Sequence, residues 1–301
     1  MMTTKKLITS DDPKGRDATA KWRAVYDKQK LEDGADGSAQ RLNESPEFWK
    51  ELGVLIQKHS ATNQYANEVV SSKYTYPQEY KGAKPIEEQI KTIAEMFGLD
   101  STHALEFIKT LPALPEGSEG WFAVPTISAI AKKHFSGITD PMQKYCEAVQ
   151  LVLKKIKSSR SFTNYRDGEI VPAKLRQHAR TVSFLEQLES QQTGDILIIA
   201  AQYGMRHRGK SVRRARETFV SNEFGLGSFA EGCMALTHPE RYVRWEQLHT
   251  DCPGDEFAPD ADGVFSEAPI FHFDDGGLKF GTGDVSDAYD YYGSVSGFLP
   301  Q

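Results

Sequence analysis

The residues best suited to chemistry are concentrated between Thr193 and Phe219, TGDILIIAAQYGMRHRGKSVRRARETF. Within this stretch Gly204, Gly209, Lys210 and Ser211 satisfy the phosphate-loop pattern G-x-x-x-x-G-K-[ST]. In such a loop, glycines let backbone N–H groups approach phosphate oxygens. The lysine reaches the terminal phosphates, and the hydroxyl holds Mg²⁺. A degenerate phosphate-loop NTPase is therefore one reading of the chain. Three features weigh against it. Met205, Arg206, His207 and Arg208 are bulky for a loop that wraps a triphosphate. Arg213, Arg214 and Arg216 exceed the charge a nucleotide site needs. The residues that follow do not alternate strand and helix, so they offer no clear acidic strand for the magnesium.

The same stretch reads more economically as a cationic cluster. Arg206, Arg208, Lys210, Arg213, Arg214 and Arg216 are close in sequence, with His207 among them. On a helix, Lys210, Arg213 and Arg214 share a face at i, i+3 and i+4. Guanidinium groups so arranged suit phosphate oxygens. Binding of a polyanion, nucleic acid foremost, is the leading expectation, and it is non-catalytic. The bland counterpart is a face neutralised within the molecule, with the acidic tail as the expected partner.

That tail holds the second constellation. His249, Asp251, Cys252, Asp255, Glu256, Asp260, Asp262 and Glu267 fall close together. Carboxylates at this density could hold Ca²⁺ or Mg²⁺ and serve a carboxylate-dependent nuclease. Asp260-Ala261-Asp262-Gly263 resembles the middle of a calcium loop. The pattern then requires acids where Ala258 and Pro269 stand, so it is not an EF-hand. A surface acidic loop is the default, no metal or other cofactor is expected, and Asp255, Asp260 and Asp262 are the weak metal candidates. Gly225-Leu226-Gly227-Ser228-Phe229-Ala230 fits a loose dinucleotide fingerprint, but no βαβ unit surrounds it. It reads as a turn before a helix capped by Ser228. Signatures of serine hydrolases, zinc proteases and kinases are absent.

The elements that must position these residues follow from periodicity and caps. Ser45-Pro46 opens a helix with Phe48, Trp49, Leu52, Leu55 and Ile56 on one face. Further helices are predicted from Pro85 to Gly98, from Ser101, over 126–135, from Pro141 with its stripe ending at Ile156, and over 172–192. Lys154, Lys155 and Lys157 close the Pro141 helix, where cations complement the helix dipole. DILIIAAQ reads as a strand covered on both faces. EGWFAVP (119–125) reads as a buried loop anchor, 159–170 as a loop or short hairpin, and 268–283 as a hairpin about Asp275-Gly276. Short helices are expected over 228–236 and 239–248. The predicted fold is mainly α, with a smaller α+β C-terminal portion. Residues 1–44 form a loosely ordered segment, 45–192 a helical body and 193–301 a mixed portion, the last two able to share one core.

Composition sets the outer bounds. The chain of 301 residues is long enough for a real core, and 39% of it is hydrophobic. Its net charge of -6, from 36 basic and 42 acidic residues, excludes a general nucleic-acid coat and makes any anion site local. Cys146, Cys233 and Cys252 form no C-x-x-C pair, which suits reduced thiols in a cytoplasmic protein. The first residues lack the apolar run of a signal peptide, and Ile196–Ala201, the longest apolar run, is too short to span a bilayer.

Overall fold

The computed structural model describes residues 13–32, 34, 37–60 and 64–300. The absence of a signal peptide was read chiefly from residues 1–12, which lie outside these. The chain divides into two compact units, Met1–Ser60 and Ala61–Gln301. In the first, α1 spans Pro13–Lys28, α2 Ser38–Asn43 and α3 Pro46–Ser60. As its sequence requires, α3 is capped by the Ser45 hydroxyl, which accepts from the Phe48 N–H at 3.2 Å.

The second unit opens with an extended segment and two helices, α4 (Ile86–Phe97) and α5 (Thr102–Phe107). Gly98 ends α4 in the left-handed conformation, φ 66°. Then come β1 (Gly120–Pro125), α6 (Ile127–His134) and α7 (Pro141–Ser159). The Asp140 carboxylate caps α7 by accepting from the Gln143 N–H at 2.7 Å. Next are β2 (Phe162–Asn164), β3 (Leu175–Gln177), α8 (Ala179–Gln191) and β4 (Ile196–Gln202). The chain continues through α9 (Val212–Thr218), β5 (Glu223–Gly225) and α10 (Ser228–Thr237). It closes with β6 (His249–Asp251), β7 (Asp255–Phe257), β8 (Glu267–Asp274), β9 (Gly277–Asp284), β10 (Tyr292–Ser294) and β11 (Ser296–Phe298).

These strands build two sheets. A four-stranded antiparallel sheet runs β1-β4-β11-β5, with β4 buried along its whole length. A seven-stranded mixed sheet runs β10-β6-β8-β7-β3, with β9 on β8 and β2 on β9. Between the elements lies α10, buried at every position and packed on α7, β1 and α4. Core residues on both sides of position 193 belong to one hydrophobic cluster.

The mainly α expectation is therefore corrected. The protein is α+β, 41% helical and 19% strand, with sheets of 4 and 7 strands. The error has a physical source. Most of these strands are three residues long and pair with distant segments, so they carry no period of their own. EGWFAVP is no loop anchor but strand β1, in register with β4 from Gly120 opposite Ala201 to Pro125 opposite Ile196. The helix expected from Pro172 starts only at Ala179, because Leu175–Gln177 pair with β7. Residues 239–248 hold a single 3₁₀ turn, Pro239–Arg241, rather than a helix. The 268–283 hairpin is present as β8 and β9, turning at Asp275 (φ 46°) and Gly276 (φ 69°). Among the described residues, no helix is long and apolar enough to cross a membrane.

Candidate functional site

Strand β4 delivers the Gly204–Ser211 loop from the middle of an antiparallel sheet, with β1 on one side and β11 on the other. A phosphate loop needs unsatisfied backbone donors. Here every N–H from Gly204 to Ser211 already has an acceptor inside the protein. The Gln202 Oε1 accepts from Gly204 at 2.7 Å and from Arg206 at 3.3 Å. The Tyr76 hydroxyl accepts from Met205 at 3.1 Å. Backbone oxygens of Gly204, Met205, Tyr292, His207 and Glu68 accept from His207, Arg208, Gly209, Lys210 and Ser211 respectively. The two motif glycines serve close backbone packing instead. Gly209, at φ 74°, would place a Cβ 2.2 Å from the Val70 oxygen, and Gly204, at φ 108°, one 2.8 Å from the Gly293 oxygen. Single β-bridges, Val69 with Lys210 and Arg208 with Gly293, stitch the loop to both neighbours.

The motif side chains are committed as well. The Ser211 hydroxyl donates to Glu68 at 2.6 Å and accepts from the Arg214 N–H at 3.1 Å, so it caps α9. The Lys210 ammonium donates to His207 Nδ1 at 3.2 Å and to Thr218 Oγ1 at 3.1 Å. That fixes the His207 tautomer: Nδ1 accepts, so Nε2 carries the proton and donates to Glu223 Oε1 at 2.6 Å. Both His207 and Glu223 are buried. Burial pushes the Glu223 carboxyl up. The hydrogen bond from His207, the Ser296 hydroxyl and the nearby Arg206 outweigh it, and bring the carboxyl down to about 2.

The cationic cluster is spread among internal partners. Arg206 lies 3.2 Å from Glu223. The Arg213 guanidinium clasps Glu68 through Nε at 2.8 Å and through its terminal nitrogen. Its hydrogen bond is the main cause holding the Glu68 carboxyl below its usual range. Arg214 meets Glu217 at 2.8 Å. Arg216 donates to the backbone oxygens of Pro253 at 2.9 Å and Asp255 at 2.6 Å. Arg208 rests on neutral acceptors, the Tyr74 oxygen at 3.1 Å and the Met205 sulfur. The expected pairing with the acidic tail thus occurs only at Arg216, and there through carbonyls. The carboxylate partners are Glu68, Glu217 and Glu223.

The acidic constellation does not converge. Asp255 is buried rather than on a surface loop. Its Oδ2 accepts from the Ser228 N–H at 2.7 Å and hydroxyl at 2.5 Å, and its Oδ1 accepts from Tyr145 at 2.6 Å. The carboxylate therefore satisfies the start of α10, the role expected of Ser228 itself. Burial pushes Asp255 up to about 6 and Asp251 up to about 8. Asp260 and Asp262 are exposed, and Asp262 accepts from the Val264 N–H. Among the described residues no group of three or more His, Cys, Asp or Glu could hold a metal.

Sequence reading missed three arrangements. Glu231, on fully buried α10, accepts from Tyr242, Thr250 and the Cys252 thiol, forming a polar knot without access to solvent. A cleft of about 390 Å³ opens between α7 and β2. Lys154 and Lys157 line it, with no acidic partner among the described residues. Exposed Trp245 and Tyr289 and half-buried Tyr291 cluster beside His249. The cluster's one legible sign is the tyrosine-rich run Tyr289–Tyr292. Comparison of the chain with protein-family models, with curated proteins and with solved structures gives no match.

Proposed function

We propose that this chain is a non-catalytic interaction protein in which residues 206–216 act as an internal brace. The observation that carries this reading is the complete internal bonding of the Gly204–Ser211 backbone. A loop with no spare N–H has nothing to offer a phosphate without breaking its own fold. The side chains support the same reading. The brace ties β4 to the 68–76 segment through Glu68, to β5 through Glu223, and to the 253–255 turn through Arg216.

Polyanion binding by this segment is the second reading, favoured by the exposure of Arg206 and Arg208. Salt titration separates the two. Single- and double-stranded DNA and RNA are added to wild type and to the Arg213→Ala/Arg214→Ala variant over a range of salt. A phosphate-contacting face gives affinity that falls steeply with salt, because each contact releases counterions. The brace predicts no such binding and a lower melting temperature for the double variant. Salt-sensitive binding that the variant loses, at an unchanged melting temperature, would transfer the assignment to nucleic acid.

A further inference from the structure

Helix α7 and strand β2 face each other across the cleft of about 390 Å³, a volume within the range of small-molecule sites. Gln150, Leu153, Lys154 and Lys157 line one wall, at the i, i+3, i+4 and i+7 positions of a single helix face. Phe162, Thr163 and Asn164 line the other. Arg160 and Ser161 alone separate α7 from β2, so the strand doubles back along the helix. Lys157 therefore stands at the end where β2 begins. Gln150 stands at the far end, where its amide donates to the Ile170 oxygen at 3.0 Å and Asp167 closes the wall.

Hydrogen bonding gives the cleft two unlike ends. The Lys154 and Lys157 ammonium groups have no partner among the described residues. The Thr163 hydroxyl accepts from the Lys279 ammonium at 3.3 Å. An ammonium can only donate, so the Thr163 proton is left to donate in turn. Lys279 is itself 9% exposed and has no carboxylate partner among the described residues, so its charge stands buried behind this wall. Asn164 Oδ1 accepts from the Arg166 N–H at 2.9 Å, which turns the amide so that its NH₂ remains to donate. Donors thus gather toward the Lys154–Lys157 end. The opposite end accepts. Gln150 commits its NH₂ to Ile170 and keeps Oε1, and the exposed Asp167 carboxylate has no ion-pair partner among the described residues. Glu169, the next acid along, is taken up by Lys174 at 2.5 Å.

We infer that this cleft binds a small sugar phosphate, its phosphoryl group at the Lys154–Lys157 end and its hydroxyls toward Asp167. The two ammonium groups, the Thr163 hydroxyl and the Asn164 NH₂ meet phosphoryl oxygens, the ammonium groups through charge-assisted bonds. Sugar hydroxyls donate to Asp167 and to Gln150 Oε1, which can only accept. Leu153 and Phe162 supply an apolar wall for the ring carbons. Asp167 also selects against competing anions, because a dicarboxylate or a nucleic-acid strand brings a second negative charge toward it. A nucleotide base finds no open stacking platform, since Phe162 is partly buried and packs on the hydrophobic core.

The test titrates the full chain with glucose 6-phosphate, fructose 6-phosphate and ribose 5-phosphate by calorimetry, with glucose, inorganic phosphate, citrate and AMP as controls. Saturable binding of at least one sugar phosphate is expected, with every control weaker by about tenfold or more. Lys154→Gln/Lys157→Gln should weaken that binding by about tenfold or more at an unchanged melting temperature, because both lysines are exposed. Lys154→Arg/Lys157→Arg keeps both charges and should retain it. Asp167→Asn, an independent variant at an exposed position, should weaken the sugar phosphate and leave inorganic phosphate unchanged or tighter. Absence of saturable binding to all three sugar phosphates overturns the inference, as does binding indifferent to both the glutamine pair and Asp167→Asn. Inorganic phosphate, citrate or AMP binding as tightly as the sugar phosphates also overturns it.

Discussion

Replacing Glu223 by glutamine removes the charge at the centre of the brace while keeping its shape. The buried carboxyl is held at about 2 against an ordinary value of 4.5. That difference, at about 1.36 kcal/mol per pH unit, corresponds to about 3 kcal/mol of stability at neutral pH. Because the folded value is depressed, the contribution is fully present above pH 4.5 and is lost as pH falls through 2. Near pH 3 linkage leaves roughly half of it. Urea denaturation of wild type and Glu223→Gln at pH 7 and pH 3 measures both quantities. The expected gap is about 3 kcal/mol at pH 7, shrinking by roughly half at pH 3. A gap well below about 1 kcal/mol at pH 7 would show that His207, Arg206 and Ser296 do not depend on this charge. A gap that ignores pH would assign the loss to packing.

Three further outcomes follow from the same geometry. Gly209→Ala should destabilise by at least about 2 kcal/mol in chemical denaturation, since the left-handed backbone and the Val70 oxygen both oppose a Cβ; a neutral effect would show that the loop is not held there. Asp251, pushed up to about 8 by burial, keeps in the folded state a proton that the unfolded chain loses near pH 4. Stability should therefore fall between pH 6 and pH 8, and Asp251→Asn should flatten that fall in a melting-temperature series; an unchanged slope would contradict it. Calorimetry with Ca²⁺ or Mg²⁺ should show no site involving Asp255, Asp260 and Asp262, and micromolar binding lost in Asp262→Ala would refute this.

What could be read from the sequence was local. The Ser45-Pro46 and Asp140-Pro141 starts, the Gly98 stop, the β4 run and the Asp275-Gly276 turn each carry their signal within a few residues. Strand β1 did not, because a continuous apolar run has no alternation and its partner β4 lies some 75 positions on. Leu175 fell in phase with the apolar face of α8, yet it pairs with Phe257 in a sheet. The site was harder still. Gly204, Gly209, Lys210 and Ser211 match a phosphate loop by residue type. What occupies the loop is Glu68 and Tyr292 at Ser211 and Gly209, and Tyr76 at Met205, brought in from distant segments. Asp255 looked like part of a solvated acidic loop because nothing local announces that it meets Ser228 and Tyr145. Charge clusters in sequence report type, whereas pairing is a property of the fold.

Hydrogen exchange of the amides from Gly204 to Ser211 tests the brace most directly. It is measured on the free protein and again with Mg-ATP or with oligonucleotide. Internal acceptors for every one of these N–H groups predict slow exchange without ligand, unchanged by either addition. Fast exchange in the free protein that slows when nucleotide or oligonucleotide is added would contradict the account.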